Sequence, residues 1–462
     1  MSMVWHIFRK DLKLLWKMLC GVAALYLLQL FPSARHIDPL THGALSRLVS
    51  AAALIATGLL VVFVVQKDAV PGLRQDWLVR PIRRTDLLLS KIAFTVLMIQ
   101  FPIFLFDFVR NLLVGFPPGL AVSAAFAWNA QMLVVYLLPL LAFATLTRNL
   151  AEALTGAFGL GLATLLFLTS VASRSETMNS TMWWIPQTMQ TATTLTAVAI
   201  ILGLQYYGRK TVASRWVCAV TVLVGILFQL MPWKTAFAMQ ERFSAEPEAA
   251  AAVQIHFEKG PRKATVSGDA GLLTGLRIPV SIKGVGPSET LYDDRVDARI
   301  VEKDGTAFDF GRTTVDGHSL DYDDNYLWLT VSRDILKSGT ARIELDYYLT
   351  LFRMTADRSL PVNSTQWVDG MGICTSEADF GATELELNCR FAKAATLIKW
   401  SFVSATSVWS QSYPNRFGLG LSSRIARLPL GPDLKNTKLE MRAYEPLAHF
   451  TRHVVIPISD LR

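Results

Sequence analysis

Polar residues interrupt two apolar runs in the first half of this 462-residue chain. Asp107 and Arg110 lie in FPIFLFDFVRNLLVGF, and Asn129 and Gln131 lie in FAWNAQMLVVY. Asp107 and Arg110 are three residues apart, so a helix puts them on one face where they can pair. Inside a bilayer such groups either tie helices together or line a pathway. Both roles stay open for all four residues. A second constellation is QDWLVRPIRRTDLLLSKI, Gln75 to Ile92, which sets Arg80, Arg83, Arg84 and Lys91 within a dozen residues. Cations there can hold a loop in the cytoplasm, or they can dock a partner. The order favours docking. Pro81 comes first, then Arg83 and Arg84, then Thr85 and Asp86 open a helix with a favourable acidic first turn. Trp77, Arg80, Pro81, Arg83, Arg84 and Lys91 are the candidate docking residues.

Cys374 and Cys389 form a C-x14-C pair in the polar second half. In an oxidising compartment they are expected to bridge. Zinc is the weaker alternative, because no C-x2-C and no neighbouring His supports it. Cys20 and Cys218 lie in apolar spans and read as small buried hydrophobes. No H-E-x-x-H or G-x-S-x-G sequence occurs. His449 and His453 are four apart, but the surrounding residues read as strand, where that spacing makes no metal face. DYDDNY, Asp321 to Tyr326, lacks the Gly and distal Glu of a calcium loop and reads as a solvated turn.

The elements that carry these groups divide the chain in two. Residues 1–233 hold 18 Lys and Arg against 8 Asp and Glu, a net +10, within long apolar runs. Residues 234–462 hold 27 against 29, a net −2, and are rich in β-formers. The basic balance therefore belongs to the apolar half, and no nucleic-acid partner is expected. Seven stretches approach the roughly 20 apolar residues that a bilayer crossing needs: 14–32, 47–66, 91–114, 120–146, 150–172, 190–208 and 213–233. With the N-terminus inside, fourteen of the eighteen cations of this half are cytoplasmic; Arg35, Arg47, Arg110 and Arg174 are not. Everything after Trp233 is then outside. The first residues carry no small-residue cleavage site, so the first span is expected to be retained. Trp5, Phe8, Leu12, Leu15 and Trp16 alternate with cations and predict an interfacial amphipathic helix before the chain turns into the membrane. Pro102 and Pro139 predict kinks.

Beyond a charged, Ala-rich linker at 234–250, short alternating segments separated by Gly, Asp and Asn predict an all-β sandwich. It divides into modules 251–353 and 354–462, or forms one domain over 251–462. The expected fold class is thus a membrane α-helical bundle of six or seven transmembrane helices plus a C-terminal, extracytoplasmic β-sandwich domain.

The first 210 residues resemble the membrane subunit of ABC-2 type ABC transporters. The resemblance is carried by IFRKDLKLLWK before the first span. It is also carried by DWLVRPIRRTDLLLSK after the second, with Trp77, Leu78, Pro81, Arg83, Arg84, Leu87, Leu88, Leu89 and Lys91 at the family's positions. A Gly-rich fifth span, an outer aromatic stretch and a sixth span also fit. A seventh span and a long outer domain are departures. The resemblance implies a permease in the cytoplasmic (inner) membrane, paired with a second permease copy, with lipid around it. The chain has no G-x-x-x-x-G-K-[ST] loop, so it is expected to bind no cofactor itself, and ATP would be held by a separate ATP-binding cassette subunit. No enzymatic activity is expected. The alternative is a membrane-anchored binding or assembly protein that displays its outer domain; a tethered hydrolase lacks any catalytic constellation.

Overall fold

In a computed structural model, the described residues are 3–33, 39–67, 83–113, 115–159, 161, 184–257, 273–313, 326–332, 341–361, 364–368, 372–378, 384–391, 397–403, 408–414, 422–429 and 438–457. The first half is helical: α1 (Met3–Ser33), α2 (Pro39–Gln66), α3 (Arg84–Leu113), α4 (Pro118–Ala144), α5 (150–159), α6 (Trp184–Gly203) and α7 (Thr211–Gln229). Four of these contain stretches long and apolar enough to cross a membrane, namely Leu48–Gln66 within α2, then α3, α4 and α7. The chain is accordingly a membrane protein. Helices α1 and α6 cover parts of the expected first and sixth spans, and much of the fifth lies outside the described residues.

Helix α1 differs from expectation. It runs unbroken for 31 residues, about 46 Å at 1.5 Å per residue, with no separate interfacial helix. The cause is its stripe of Ile7, Phe8, Asp11, Leu15 and Val22, which is buried. A stripe with helical period that packs on α2 and α3 gives the chain no reason to turn.

Prolines shape α3 and α4. A π-helical segment, Thr95–Gln100, precedes Pro102, and another, Leu133–Leu137, precedes Pro139. Proline has no N–H to donate, and its ring clashes with the carbonyl four residues back. A widened turn before the ring takes up both problems. A third π segment, Leu204–Gly208, ends α6, and Arg209 then turns the chain with φ of 51°.

The second half is antiparallel. Its thirteen described strands make a six-stranded sheet in the order β11-β10-β13-β6-β3-β4, a four-stranded sheet β12-β9-β8-β7 and a three-stranded sheet β1-β2-β5. Here β1 is Gln254–Phe257, β2 Leu273–Lys283, β3 Glu289–Val301, β4 Ala307–Thr313, β5 Tyr326–Ser332, β6 Arg342–Pro361 and β7 Ser364–Val368. The rest are β8 Gly372–Ala378, β9 Glu384–Phe391, β10 Leu397–Val403, β11 Val408–Pro414, β12 Ser422–Pro429 and β13 Lys438–Pro457. The expected module boundary at 353/354 falls inside β6, which pairs with β13 along its length. One sheet therefore takes strands from both sides of that boundary. Side chains of β6 alternate between the two faces of the sheet. Leu345, Tyr347, Leu349 and Leu351 face one core, whereas Tyr348 and Phe352 belong to others.

The expected linker is folded. It forms α8 (Trp233–Arg242) and α9 (Pro247–Ala252). Trp233 and Phe237 of α8 pack edge-on against Tyr348, with ring centroids 4.7 and 5.2 Å apart. Lys234 pairs with Asp297 at 3.1 Å. Beneath them runs a polar chain. Thr350 donates its hydroxyl hydrogen to Asp294, so it can only accept from His449 Nδ1–H, 2.8 Å away. That leaves His449 Nε2 to accept from the Gln240 amide of α8 at 3.2 Å. The sheet half thus sits directly on the end of the last helix.

Burial lowers the His449 pKa from 6.5 to about 4. Between those values the unfolded chain binds a proton that folded His449 refuses. Stability is thus full above pH 6.5, falls as the pH drops, and flattens below about pH 4. The expected slope is at most about 1.4 kcal/mol per pH unit. Thermal melting of the purified chain across this window is expected to be less pH-dependent in His449→Gln; equal slopes in both proteins would rule the assignment out.

Candidate functional site: a polar seam between two helices

The docking residues expected from sequence separate in the structure. Trp77, Arg80 and Pro81 lie outside the described residues. Arg83 precedes α3 in extended conformation and is exposed. Arg84, also exposed, donates to the carbonyl of Tyr207 at 2.6 Å and so ties the start of α3 to the end of α6. Lys91 is a correction to the docking set. It lies two turns into α3 on the face of Leu87, Ser90 and Phe94, all buried. Its Nζ pairs with Asp11 of α1 at 2.7 Å, and both side chains are 1% exposed. A lysine held this way presents nothing to a partner. The signal was Asp11 itself, an acid in phase with Ile7, Phe8 and Leu15 among exposed cations.

The intramembrane candidates converge more closely. Arg110 pairs with Asp107 Oδ1 at 2.8 Å, as the three-residue spacing requires. Asp107 Oδ2 accepts from the Asn129 amide of α4 at 2.9 Å. Asn129 in turn accepts from Gln100 Nε2, at 2.8 Å on its side-chain oxygen and 2.7 Å on its backbone carbonyl. Gln100 closes the π segment before Pro102. A ladder Arg110–Asp107–Asn129–Gln100 therefore joins α3 to α4, and three of its members are buried. Gln131 is not in this ladder; its Oε1 is buried without a hydrogen-bond partner. Gln100 and Asn111 were not singled out from sequence. Gln100 sits seven residues before Asp107 and Asn111 four after it, so helical phase alone would have put both near the same face.

Beside the ladder lies a cavity of about 170 Å³ lined by Asp107, Arg110, Asn111, Ala124, Ala125 and Trp128. Among the described residues no group of three or more His, Cys, Asp or Glu is placed to hold a metal. The seam offers charge, hydrogen bonds and space, which can hold a polar group. The chain matches no protein-family model, and no curated protein matches it.

Buried ion pairs are costly to form and costlier to break by halves. Lys91→Met or Asp11→Leu alone is expected to destabilise the protein by about 3–5 kcal/mol, and the double variant by much less. Melting of all four proteins in one detergent checks this; additive losses would contradict the pairing.

Proposed function

We propose that this chain is the membrane subunit of an ATP-driven transporter of the ABC-2 type, working as a pair with separate ATP-binding cassette subunits. In this reading six or seven helices cross the cytoplasmic membrane, the N-terminus is cytoplasmic, and the β half is an extracytoplasmic sandwich that binds substrate or a partner. The observation that carries it is the start of α3. Arg83 is exposed there, and the helix behind it is tied to α6 through Arg84 and to α1 through Lys91. A load applied to this end by an ATPase passes into α3 and so to the seam. An exposed cation on a loose loop would transmit nothing.

The placement of the β half outside has its own support. Strands β8 and β9 pair so that Cys374 stands directly opposite Cys389. Directly opposed antiparallel residues have Cα atoms about 4.5–5.5 Å apart, within the span of a disulfide. We infer a Cys374–Cys389 disulfide, which an oxidising compartment would maintain.

The test is purification in mild detergent from native membranes. A stoichiometric subunit with a phosphate-binding G-x-x-x-x-G-K-[ST] loop is expected, and Arg83→Glu is expected to weaken its retention about tenfold. Purification without any ATPase would favour the display or assembly role. Peptide mapping without reductant is expected to recover Cys374 linked to Cys389; free thiols at both would remove the support for an outside location.

A further inference from the structure

An ion pair that only braces α3 needs no cavity next to it. The space beside Asp107, about 170 Å³, far exceeds the roughly 10–15 Å³ that a single water requires. Its walls are charged and polar, so it does not stay empty as an apolar void would. Ala124 is part of its wall, and a small side chain there leaves the room that a longer one would take up.

The walls define what fits. Arg110 is 30% exposed and stands at the rim. A guanidinium carries five N–H donors, and Asp107 is the described ion-pair partner of one of its nitrogens. Acceptors lie deeper. Each oxygen of Asp107 takes one of the described contacts and keeps further accepting capacity. Asn111 is buried and gives its Nδ2 to the carbonyl of Ala121 at 3.3 Å, and its Oδ1 is enclosed, so it braces the wall and offers the cavity no acceptor. Trp128, 43% exposed, completes the lining, and an aromatic side chain favours a cation. Arg110 and Asp107 already cancel in charge. The occupant is therefore net neutral, with an anionic group toward Arg110 and an N–H-bearing cation toward Asp107 and Trp128.

Depth selects the source. Arg110 is three residues from the end of α3 and Asp107 six, about 5 and 9 Å along the axis. Trp128 is ten residues from the start of α4, about 15 Å. This is the level of head groups and upper acyl chains. Val109, Leu112 and Phe126 nearby are exposed apolar side chains that such acyl chains would cover.

We propose that this cavity binds the head group of a phosphoethanolamine-type phospholipid. The phosphate sits on Arg110, and the primary ammonium sits against Asp107, beside Trp128. A trimethylated head group has the same charges but no N–H to donate. An anionic head group has no cation for Asp107. The proposal does not depend on the chain being a transporter.

The test uses the full chain in mixed micelles with equal phosphatidylethanolamine, phosphatidylcholine and phosphatidylglycerol, and native mass spectrometry to read what stays bound. Phosphatidylethanolamine is expected to be retained about tenfold over phosphatidylcholine, the worth of one charge-assisted hydrogen bond. Ala124→Leu, which fills the cavity and leaves the ladder residues in place, is expected to bring the three lipids to parity without lowering the melting temperature. Arg110→Gln removes the anchor for the phosphate that all three lipids share, and is expected to lower the retention of each. Parity in the unaltered protein, as a cavity holding only water would give, overturns the proposal. So does a preference that survives Ala124→Leu, or displacement by soluble phosphoethanolamine at the lipid's own concentration, which would make the ligand a free zwitterion.

Discussion

The pair of Lys91 and Asp11 is the constraint from which the helical half is arranged. Two charges that are 1% exposed have almost left water, and a pairing at 2.7 Å is what makes such burial tolerable. Their pairing fixes the height of α1 against α3 and the rotation of both. With Lys91 turned toward α1, Phe94 follows on the same face and meets Phe8, ring centroids 5.7 Å apart. Higher up, Tyr26 of α1 stacks on Phe106 of α3 at 6.0 Å. Apolar contact alone sets register poorly where lipid is as apolar as the helix. Polar groups that must find partners set it.

The same constraint acts again in the ladder of Gln100, Asn129, Asp107 and Arg110, with backbone geometry added. A regular α-helix advances about 100° per residue, and a π turn shifts the phase of everything after it. The π segment ending at Gln100 alters which side chains of α3 face α4 from there on, whereas the one following Asn129 acts only on the part of α4 beyond the ladder. Pro102 stands just beyond the first segment, so it acts on the ladder through phase rather than through a bend alone.

Some of this was legible in the sequence. Asp107 and Arg110 could be paired from their spacing, and the shift from apolar runs to β-formers near Trp233 marked where helices give way to sheets. Lys91 was not readable as buried. Its neighbours Arg80, Arg83 and Arg84 are cations of a membrane-flanking segment, and nothing local distinguishes it from them; the distinction lies in Asp11, 80 residues away. Asn129 could be singled out as a polar residue in an apolar run, but pairing it with Gln100 needs to know which faces of α3 and α4 meet, and nothing in either run states that. The boundary proposed at residue 354 falls within one strand, because β6 stays paired with β13 on both sides of it. Its apolar and polar residues alternate about a bulge near Met354 and Thr355, and that irregularity resembles a break when only the sequence is read.

The contacts of α3 and its hairpin partner join regions that the sequence keeps far apart. At one end Arg84 holds Tyr207. At the other, Phe116 in the turn before α4 packs edge-on against Trp367 of β7, with centroids 5.2 Å apart. Between them α3 is 30 residues long, about 45 Å, and the ladder to α4 lies in its second half. The sheet half is held a second time by α8, through Trp233, Phe237 and the His449 chain. A body attached at two separate points cannot swing on one without loading the other. Any shift of α3 along its axis therefore reaches the sheets at Trp367, is resisted at Tyr348, and acts on the Asp107 seam in between.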